Sequence, residues 1–291
     1  MKLGLFPGQG IPAQVVFEGL SSQDDLLAAA GDVLGFDLRK RVQIATRRKG
    51  AALPTLVAQP AILVAGVIAW RRARNEGRRW DCFAGHSLGE YTALVAAGAL
   101  EPAGALAAVK VRAVGMEEAS KASPGGMAAV LGLDLKRVSD IAEQAGVVVA
   151  NDNAPGQVVL SGREEGLAQA AEMVRAAGAR SVLLEVAGPF HTPAMGAAAT
   201  GLREALDRID IRMPGVPVVS NVTAAPYGSP TDIRSLLVQQ LTDPVRFRES
   251  LERMYREGVT EFEDLGPGTV IGNLAQRTFR SLKTSEVPAH A

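Results

Sequence analysis

One pentapeptide in this chain has the residue types of a serine nucleophile. Gly85-His86-Ser87-Leu88-Gly89 matches the pattern Gly-x-Ser-x-Gly, and it lies between a short apolar run and an alanine-rich stretch. In a nucleophile elbow the serine lies on a tight turn between a strand and a helix, and the glycines leave room for that turn. The helix N-terminus then offers backbone N–H groups to a developing oxyanion. The alternative is that Ser87 is an ordinary helix N-cap.

A serine nucleophile needs a base, and the histidines of the chain leave one candidate. The chain contains three histidines: His86, His191 and His290. His290 lies in the tail, and His86 is adjacent to Ser87 on a sharp turn, where neighbouring side chains diverge. His191 directly follows the Gly188-Pro189-Phe190 segment. If Ser87 is a nucleophile, we expect His191 to be its base; otherwise His191 is an ordinary loop histidine.

The elements around these residues alternate between short apolar runs and longer helical patterns. The pattern predicts strands at Lys2–Phe6 and Trp80–Ala84, a helix at Gln59–Arg74 opened by Pro60, and a helix at Pro102–Ser120. Such alternation is typical of a parallel sheet with helices packed on its faces. The sequence therefore predicts an α/β fold.

Between residues 123 and 187 the pattern predicts a separate small subdomain. It is bounded by Ser123-Pro124-Gly125-Gly126 and by Gly188-Pro189. The predicted elements are, in order, a strand at Met127–Leu131, a helix at Asp134–Ala145, strands at Val147–Ala150 and Gln157–Ser161, a helix at Arg163–Ala177 and a strand at Arg180–Val186. The order βαββαβ is that of a ferredoxin-like unit. We expect this subdomain to be inserted into a large one formed by residues 1–122 and 188–291.

Composition excludes several classes of protein. Hydrophobic residues make up 47% of the 291 residues and charged residues 21%, which excludes a disordered chain. The 31 basic residues balance 31 acidic ones, whereas a nucleic-acid or membrane-surface binder normally has a basic excess. The single cysteine, Cys82, allows neither an intrachain disulfide nor a cysteine-based zinc site.

Two further features bear on where the protein acts. The longest apolar run, Ala61–Trp70, is about half a membrane span and predicts a buried helix. The first residues lack a cationic region followed by a long apolar stretch, so no signal peptide is indicated. We therefore expect a cytoplasmic protein that binds neither nucleic acid nor membrane.

Several motifs occur in an order that resembles one known family. They are Pro7-Gly8-Gln9-Gly10, Gln59-Pro60-Ala61, Gly85-His86-Ser87-Leu88-Gly89-Glu90-Tyr91, Arg112, Gly126-Met127, Pro155-Gly156-Gln157-Val158-Val159, Phe190-His191-Thr192, Gln240-Leu241, Pro244-Val245 and Gly266-Pro267-Gly268. Together, from about residue 3 to about residue 280, the chain resembles the malonyl-CoA:acyl carrier protein transacylase family. The resemblance implies an α/β-hydrolase-like core with a ferredoxin-like insert and a cleft between the two subdomains.

The resemblance also implies roles at the matching positions. Ser87 would be acylated, with His191 as general base and then acid, and the backbone N–H groups of Gln9 and Leu88 would form the oxyanion hole. Gln240 would orient His191 through its backbone carbonyl, where hydrolases place an acid. Asp134, Asp140 and Asp152 lie between the serine and the histidine as a hydrolase acid would, but all fall in the predicted insert, and we take them as surface or turn residues.

Arg112 and Phe190 bear on the substrate. From the residues alone, Arg112 is more simply a surface arginine of an amphipathic helix. The resemblance makes it the ligand of a substrate carboxylate, which a planar guanidinium matches with two parallel hydrogen bonds. An aromatic residue directly before the histidine accompanies malonyl substrates in related acyltransferase domains, so Phe190 favours malonyl, although a core-facing loop aromatic is the alternative.

The expected activity is therefore transfer of a malonyl group from malonyl-CoA to the 4′-phosphopantetheine thiol of an acyl carrier protein, without metal or other cofactor. One alternative is a thioesterase that gives the acyl group to water, although a general hydrolase has no need of a carboxylate ligand such as Arg112. Another is an acyltransferase acting in trans on a polyketide synthase with a different extender unit. A non-catalytic subunit is disfavoured by the joint presence of Ser87, His191 and Arg112. Fatty-acid, polyketide and malonate-decarboxylase systems all remain open.

Overall fold

Two β-sheets, one parallel and one antiparallel, organise the chain. The computed structural model describes residues 1–20, 24–47 and 53–286, and His290 lies outside them. The strands are β1 (Lys2–Phe6), β2 (Cys82–Gly85), β3 (Gly126–Leu131), β4 (Val148–Ala154), β5 (Gln157–Gly162), β6 (Arg180–Leu183), β7 (Val218–Val219) and β8 (Glu261–Asp264). These elements confirm the predicted α/β class with a parallel sheet.

The described helices surround these strands. They are α1 (Ala13–Gly19), α2 (Asp25–Leu34), α3 (Leu38–Thr46), α4 (Thr55–Asn75), α5 (Gly89–Ala96), α6 (Pro102–Ala122), α7 (Leu135–Ala145), α8 (Glu164–Ala176), α9 (Ala197–Asp207), α10 (Pro230–Gln239), α11 (Phe247–Arg256) and α12 (Val270–Glu286), with a short 3₁₀ turn at Pro193–Gly196. Local sequence explains several ends: Asp134 caps α7 by accepting a hydrogen bond from the Arg137 N–H, and Ser229 caps α10 ahead of Pro230.

The parallel sheet has the strand order β7-β2-β1-β8. In the pairing of β1 with β2, Phe6 lies opposite Gly85, so the two strands end side by side. The segments that follow them therefore leave the sheet at the same edge, which is where ligands bind in open parallel sheets. This register brings the loop containing Gln9 beside the turn containing Ser87.

The antiparallel sheet lies within the segment predicted as an insert. Its strand order is β4-β5-β3-β6, and α7 and α8 pack with it around a separate apolar core. Strand β4 of this sheet bonds to the segment that precedes α11. The Asp152 N–H donates to the Val245 carbonyl at 2.9 Å, and the Val245 N–H donates to the Ala150 carbonyl at 2.8 Å.

Helix α4 differs from the prediction at its start. It begins at Thr55, with Pro54 at its N-cap, and Pro60 lies inside it rather than opening it. Pro60 costs the helix one backbone hydrogen bond, and burial of almost every side chain between Ala58 and Ile68 offsets that cost. The helix is long and apolar enough to span a membrane, but 72% of its most apolar window is buried inside the protein, as predicted for a core helix.

One expectation about the insert was wrong. Asp152 is neither a surface nor a turn residue: it lies in β4, is only 6% exposed, and its carboxylate pairs with Arg248 at 2.8 Å. Burial raises the pKa of Asp152, whereas the hydrogen bonds from Arg248 lower it. Asp134 is the exposed N-cap of α7, and Asp140 is half-buried within the same helix. The ion pair explains how a carboxylate is accommodated where β4 packs against α11.

Candidate active site

The turn between β2 and α5 holds Ser87 in a constrained backbone conformation. Its φ is +49°, in the left-handed region that side-chain-bearing residues rarely adopt. A Cβ on Gly85 would lie 1.9 Å from the carbonyl carbon of Gly89, and one on Gly89 would lie 2.1 Å from the Phe6 carbonyl oxygen. Neither position can accept a side chain, so both glycines of the pentapeptide are needed for this turn.

Asn221 fixes the turn from the other side. Its Oδ1 accepts a hydrogen bond from the Ser87 N–H at 2.6 Å, and its Nδ2 donates to the Gly85 carbonyl at 2.7 Å. Asn221 lies two residues after the end of the short strand β7 and is buried. Asn221 could not be predicted from the sequence, because a loop asparagine gives no local signal of a contact with residues more than 130 positions away.

Ser87 and His191 are in direct contact. Ser87 Oγ lies 2.9 Å from His191 Nε2, and His191 Nδ1 lies 2.8 Å from the Gln240 backbone carbonyl oxygen. A carbonyl only accepts, so Nδ1 carries the proton, Nε2 is the acceptor, and the Ser87 hydroxyl donates to it. The structure thus brings Ser87, His191 and Gln240 together in the expected order. His86 points elsewhere, with its Nε2 2.7 Å from Asn153 Oδ1 in β4.

Arg112 lies against the nucleophile. Its Nη2 donates to Ser87 Oγ at 2.9 Å and to Gln240 Oε1 at 3.0 Å, and its Nη1 donates to Gln59 Oε1 at 2.8 Å. The residue is fully buried, which excludes the alternative of a surface arginine. A guanidinium has five N–H donors, so donor capacity remains for another acceptor. Its Nε is buried with no hydrogen-bond partner among the described residues.

The electrostatics of the site keep His191 neutral. Burial and the adjacent Arg112 charge lower the pKa of His191 to about 3. Burial also lowers the pKa of Arg112, and the nearby Tyr91 and Glu90 only partly offset that effect. At neutral pH the site therefore contains an unprotonated imidazole able to take the hydroxyl proton, next to a buried cation.

Gln9 and Leu88 flank the serine. A Cβ on Gly8 would lie 2.6 Å from the His86 carbonyl oxygen, so the loop after β1 runs directly against the elbow. The Gln9 side chain is held by a hydrogen bond of 2.9 Å from Gln59 Nε2. In the described part of the chain, no hydrogen bond uses the backbone N–H of Gln9 or Leu88. Both groups are therefore available to an oxyanion.

A cavity of about 630 Å³ opens over these residues. Gln9, Ser87 and His191 line it from the parallel-sheet side, and Met127 and Asn151 line it from the antiparallel sheet. Phe190 is 4% exposed and forms part of the wall. The cavity thus lies between the two sheets, with the serine in its wall. Within the described ranges, no group of three or more metal-ligating side chains is clustered here or elsewhere.

Two further polar residues of the site had no role in the sequence analysis. Gln59 connects Arg112 to Gln9, and it lies at the start of an otherwise apolar stretch. Glu90 is buried in α5 and accepts a hydrogen bond of 2.6 Å from Gln240 Nε2. Each is a polar residue in an apolar helix, a pattern that could have drawn attention to both.

The chain is similar in sequence to known proteins over nearly its whole length. Residues 24–290 match the family model described as an acyl transferase domain. The chain is similar to the malonyl CoA-acyl carrier protein transacylase of Bacillus subtilis (strain 168), with 42% identity covering 97% of this chain and 92% of the relative.

Solved structures of similar proteins share the fold. An acyl carrier protein S-malonyltransferase from Vibrio cholerae superposes with a TM-score of 0.86 at 34% identity, covering 96% of this chain and 94% of that one. A malonyl-transacylase solved in complex with a type II polyketide-synthase acyl-carrier protein gives a TM-score of 0.86 at 34% identity, covering 96% and 93% of the two chains.

Proposed function

The chain belongs to the malonyl CoA-acyl carrier protein transacylase family of acyltransferases, and we propose that it moves a malonyl group from malonyl-CoA to the phosphopantetheine thiol of an acyl carrier protein. The observation that carries this proposal is the contact of 2.9 Å between Arg112 Nη2 and Ser87 Oγ. The names of the relatives support the two substrates, since they include both malonyl-CoA and acyl carrier protein.

The position of Arg112 favours a short dicarboxylic acyl group. In malonyl-CoA one methylene separates the free carboxylate from the thioester carbonyl that Ser87 would attack. A carboxylate held by Arg112 must therefore lie next to the reacting carbon, and Arg112 does lie next to the nucleophile. Apolar packing alone cannot select malonyl over acetyl, because only a polar partner distinguishes the carboxylate.

The first half-reaction follows from the hydrogen bonds. As Ser87 Oγ bonds to the thioester carbonyl carbon, His191 Nε2 takes the hydroxyl proton. The carbonyl electrons move to oxygen, and the N–H groups of Gln9 and Leu88 bind the oxyanion. When the tetrahedral intermediate collapses, the carbon–sulfur bond breaks and the CoA sulfur leaves with the proton from His191. A malonyl ester of Ser87 remains.

The second half-reaction runs the same steps in reverse order. His191 takes the proton of the carrier-protein thiol, and the sulfur bonds to the ester carbonyl carbon. Ser87 Oγ then leaves and recovers the proton from His191. The Gln240 carbonyl holds Nδ1–H throughout at 2.8 Å, so Nε2 remains the atom that exchanges the proton. No redox group or metal is required for this sequence.

Substrate binding would also change the pKa of the general base, His191. The Arg112 charge is one of the causes that lower the pKa of His191 to about 3, which makes the free imidazole a weak base. A malonyl carboxylate paired with Arg112 offsets that charge and raises the pKa of His191. The base therefore becomes stronger when the correct acyl group is bound, which acetyl-CoA cannot achieve.

Intact-mass spectrometry after mixing with malonyl-CoA tests this function. We expect a mass increase of one malonyl group on the wild-type protein and none on Ser87→Ala. Adding holo acyl carrier protein should remove the adduct and produce malonyl-carrier protein. Rapid release of CoA without an adduct or carrier product would instead support the thioesterase.

We also propose the division into two subdomains and the cellular location that the sequence predicts. The βαββαβ order of β3 to β6 and the strand order β4-β5-β3-β6 support a ferredoxin-like insert at about 123–187, and the strand–elbow–helix at Ser87 supports a hydrolase-like core in residues 1–122 and 188–291. A cytoplasmic location, and action without nucleic acid, membrane or cofactor, remain predictions. Fatty-acid and polyketide pathways both accommodate the proposed reaction.

A further inference from the structure

The buried carboxylate of Glu90 lies behind the residues that would hold the substrate. We propose that Glu90 is a positioning residue, which fixes the Gln240 side-chain amide and through it the orientation of Arg112. This inference rests on the proposed malonyl transfer and adds to it a residue that determines acyl selectivity without touching the substrate.

Glu90 contacts three groups from distant parts of the chain. Its Oε2 accepts hydrogen bonds from Gln240 Nε2 at 2.6 Å and from the Asn221 N–H at 3.2 Å, and its Oε1 accepts one from the Tyr227 hydroxyl. The side chain is 1% exposed, so these contacts replace water entirely. All three partners are donors, which is the arrangement that a carboxylate satisfies and a neutral acid does not.

The Gln240 amide has one orientation that satisfies its neighbours. Its Nε2 faces two acceptors, Glu90 Oε2 and the Ser87 carbonyl at 3.0 Å, whereas its Oε1 faces the Arg112 Nη2 donor. A flipped amide would place N–H groups against Arg112 and an oxygen against the Glu90 carboxylate. Glu90 therefore makes the acceptor end of Gln240 point at Arg112.

Arg112 depends on this orientation because neutral amides are its main partners. Gln240 and Gln59 accept from its two Nη atoms, and these contacts set the plane of the guanidinium. Bidentate binding of a carboxylate depends on that plane, since the two N–H groups must be parallel to the two oxygens. In its ionised form Glu90 also partly balances the buried charge of Arg112.

A merely structural role for Glu90 makes a different prediction. If Glu90 only supported the core or the elbow, its replacement would impair malonyl and acetyl transfer equally. If it positions Arg112, malonyl transfer must suffer more, because acetyl has no carboxylate to align. The ratio of the two activities therefore separates the alternatives.

The test compares Glu90→Gln with Asp264→Asn. Both changes replace a carboxyl with the amide of the same shape, but Asp264 is only half-buried, accepts its hydrogen bond from the Gly272 N–H in α12 and lines no part of the cavity. An amide offers one acceptor oxygen to the three donors around Glu90 and lacks its charge. We expect kcat/KM for malonyl-CoA to fall about tenfold more than for acetyl-CoA in Glu90→Gln, the difference between a charged and a neutral hydrogen bond. Asp264→Asn should leave the ratio within about twofold of wild type.

A double-mutant cycle adds a second readout. Gln240→Met removes the side-chain amide but keeps the backbone carbonyl that holds His191. In that background Glu90→Gln should no longer change the malonyl-to-acetyl ratio, because the connection to Arg112 is already lost. An unchanged ratio in Glu90→Gln, or fully additive losses in the cycle, would overturn the inference. Malonyl transfer by the wild-type protein in the same assay tests the proposed function separately from the role of Glu90.

Discussion

Ser87 and His191 share an unusual backbone conformation as well as a hydrogen bond. Their φ angles are +49° and +58°, and their side chains meet at 2.9 Å. Left-handed backbone conformations are unfavourable for non-glycine residues, and here they occur at two residues whose side chains are in contact. This indicates that tertiary contacts hold the site in a backbone conformation that each residue disfavours on its own. The contacts of Asn221 with the elbow and of Gln240 with His191 provide that restraint.

The first prediction concerns this strain. Ser87→Gly and Ser87→Ala both remove the nucleophile, so neither should form the malonyl adduct. Glycine adopts positive φ without penalty, so Ser87→Gly should have a free energy of unfolding about 1 kcal/mol higher than Ser87→Ala. Chemical denaturation of the two variants measures the difference. Equal stabilities would show that the turn is unstrained, and an adduct on either variant would remove Ser87 from the mechanism.

The second prediction concerns the acyl selectivity of Arg112. Removing one partner of a desolvated charge pair costs roughly 2–5 kcal/mol, so Arg112→Ala should lower kcat/KM for malonyl-CoA by roughly 30- to 4,000-fold. Acetyl-CoA transfer should hold steady or rise, because no carboxylate is left unpaired and a buried cation is removed. Steady-state kinetics with both thioesters measures the split.

Arg112→Lys is the matched control for charge. An ammonium restores the cation but not the two parallel N–H groups, so it should recover only part of the malonyl activity. Losses of equal size for malonyl and acetyl in Arg112→Ala would mean that Arg112 is structural. The proposal of malonyl as substrate would then rest on the relatives alone.

The third prediction concerns the pH dependence of the base. The kcat/KM profile reports the pKa of the free enzyme, and the lowered pKa of His191, about 3, should keep acetyl transfer active well below pH 5. Arg112→Ala removes a positive charge that disfavours the imidazolium, so the pKa of His191 rises. The acid limb should then move up by about one pH unit or more.

Arg112→Lys retains the positive charge and should leave that acid limb near its wild-type position. This comparison separates the charge of residue 112 from its shape. An acid limb that does not move in Arg112→Ala would show that burial alone sets the pKa of His191.

The elbow was predictable from sequence because its cause is local. Gly85 and Gly89 flank the serine in the chain, and a Cβ on Gly85 would meet the backbone of Gly89 within the turn, whereas one on Gly89 would meet the Phe6 carbonyl at the end of β1. His191 was reached by elimination among three histidines. The roles of Gln240 and Arg112 came from resemblance, since no local pattern shows that a backbone carbonyl will face an imidazole or that a helix will be buried on the side of its arginine.

The remainder of the site depends on contacts between distant residues. Glu90 directly follows the elbow pentapeptide, but its partners Asn221 and Tyr227 are more than 130 residues away. Asp152 was misjudged for the same reason, because its partner Arg248 lies in α11, outside the insert. Helix α4 starts before Pro60 because burial of the whole helix outweighs the local preference of proline. Tertiary packing decided each of these cases.

The last prediction concerns stability and the charge of Glu90. Burial raises the pKa of Glu90 from 4.5 to about 7, despite the hydrogen bonds from Tyr227 and Gln240 and the nearby charge of Arg112. A raised pKa gives stability that is fully present below pH 4.5 and is lost as the pH rises through 7, because the folded state resists ionisation longer than the unfolded chain.

The stability of Glu90→Gln has no such dependence on pH, because its amide does not ionise. At about 1.4 kcal/mol per pKa unit, the unfolding free energy of Glu90→Gln minus that of wild type should increase by about 2.5 kcal/mol between about pH 5 and pH 8. Urea denaturation of both proteins at the two pH values measures this difference, and the pKa of Tyr227, which is raised well above its ordinary value, keeps that hydroxyl from titrating in the same range. A difference that stays constant would mean that Glu90 is ionised in the fold across the whole range, with its three donors outweighing the cost of burial.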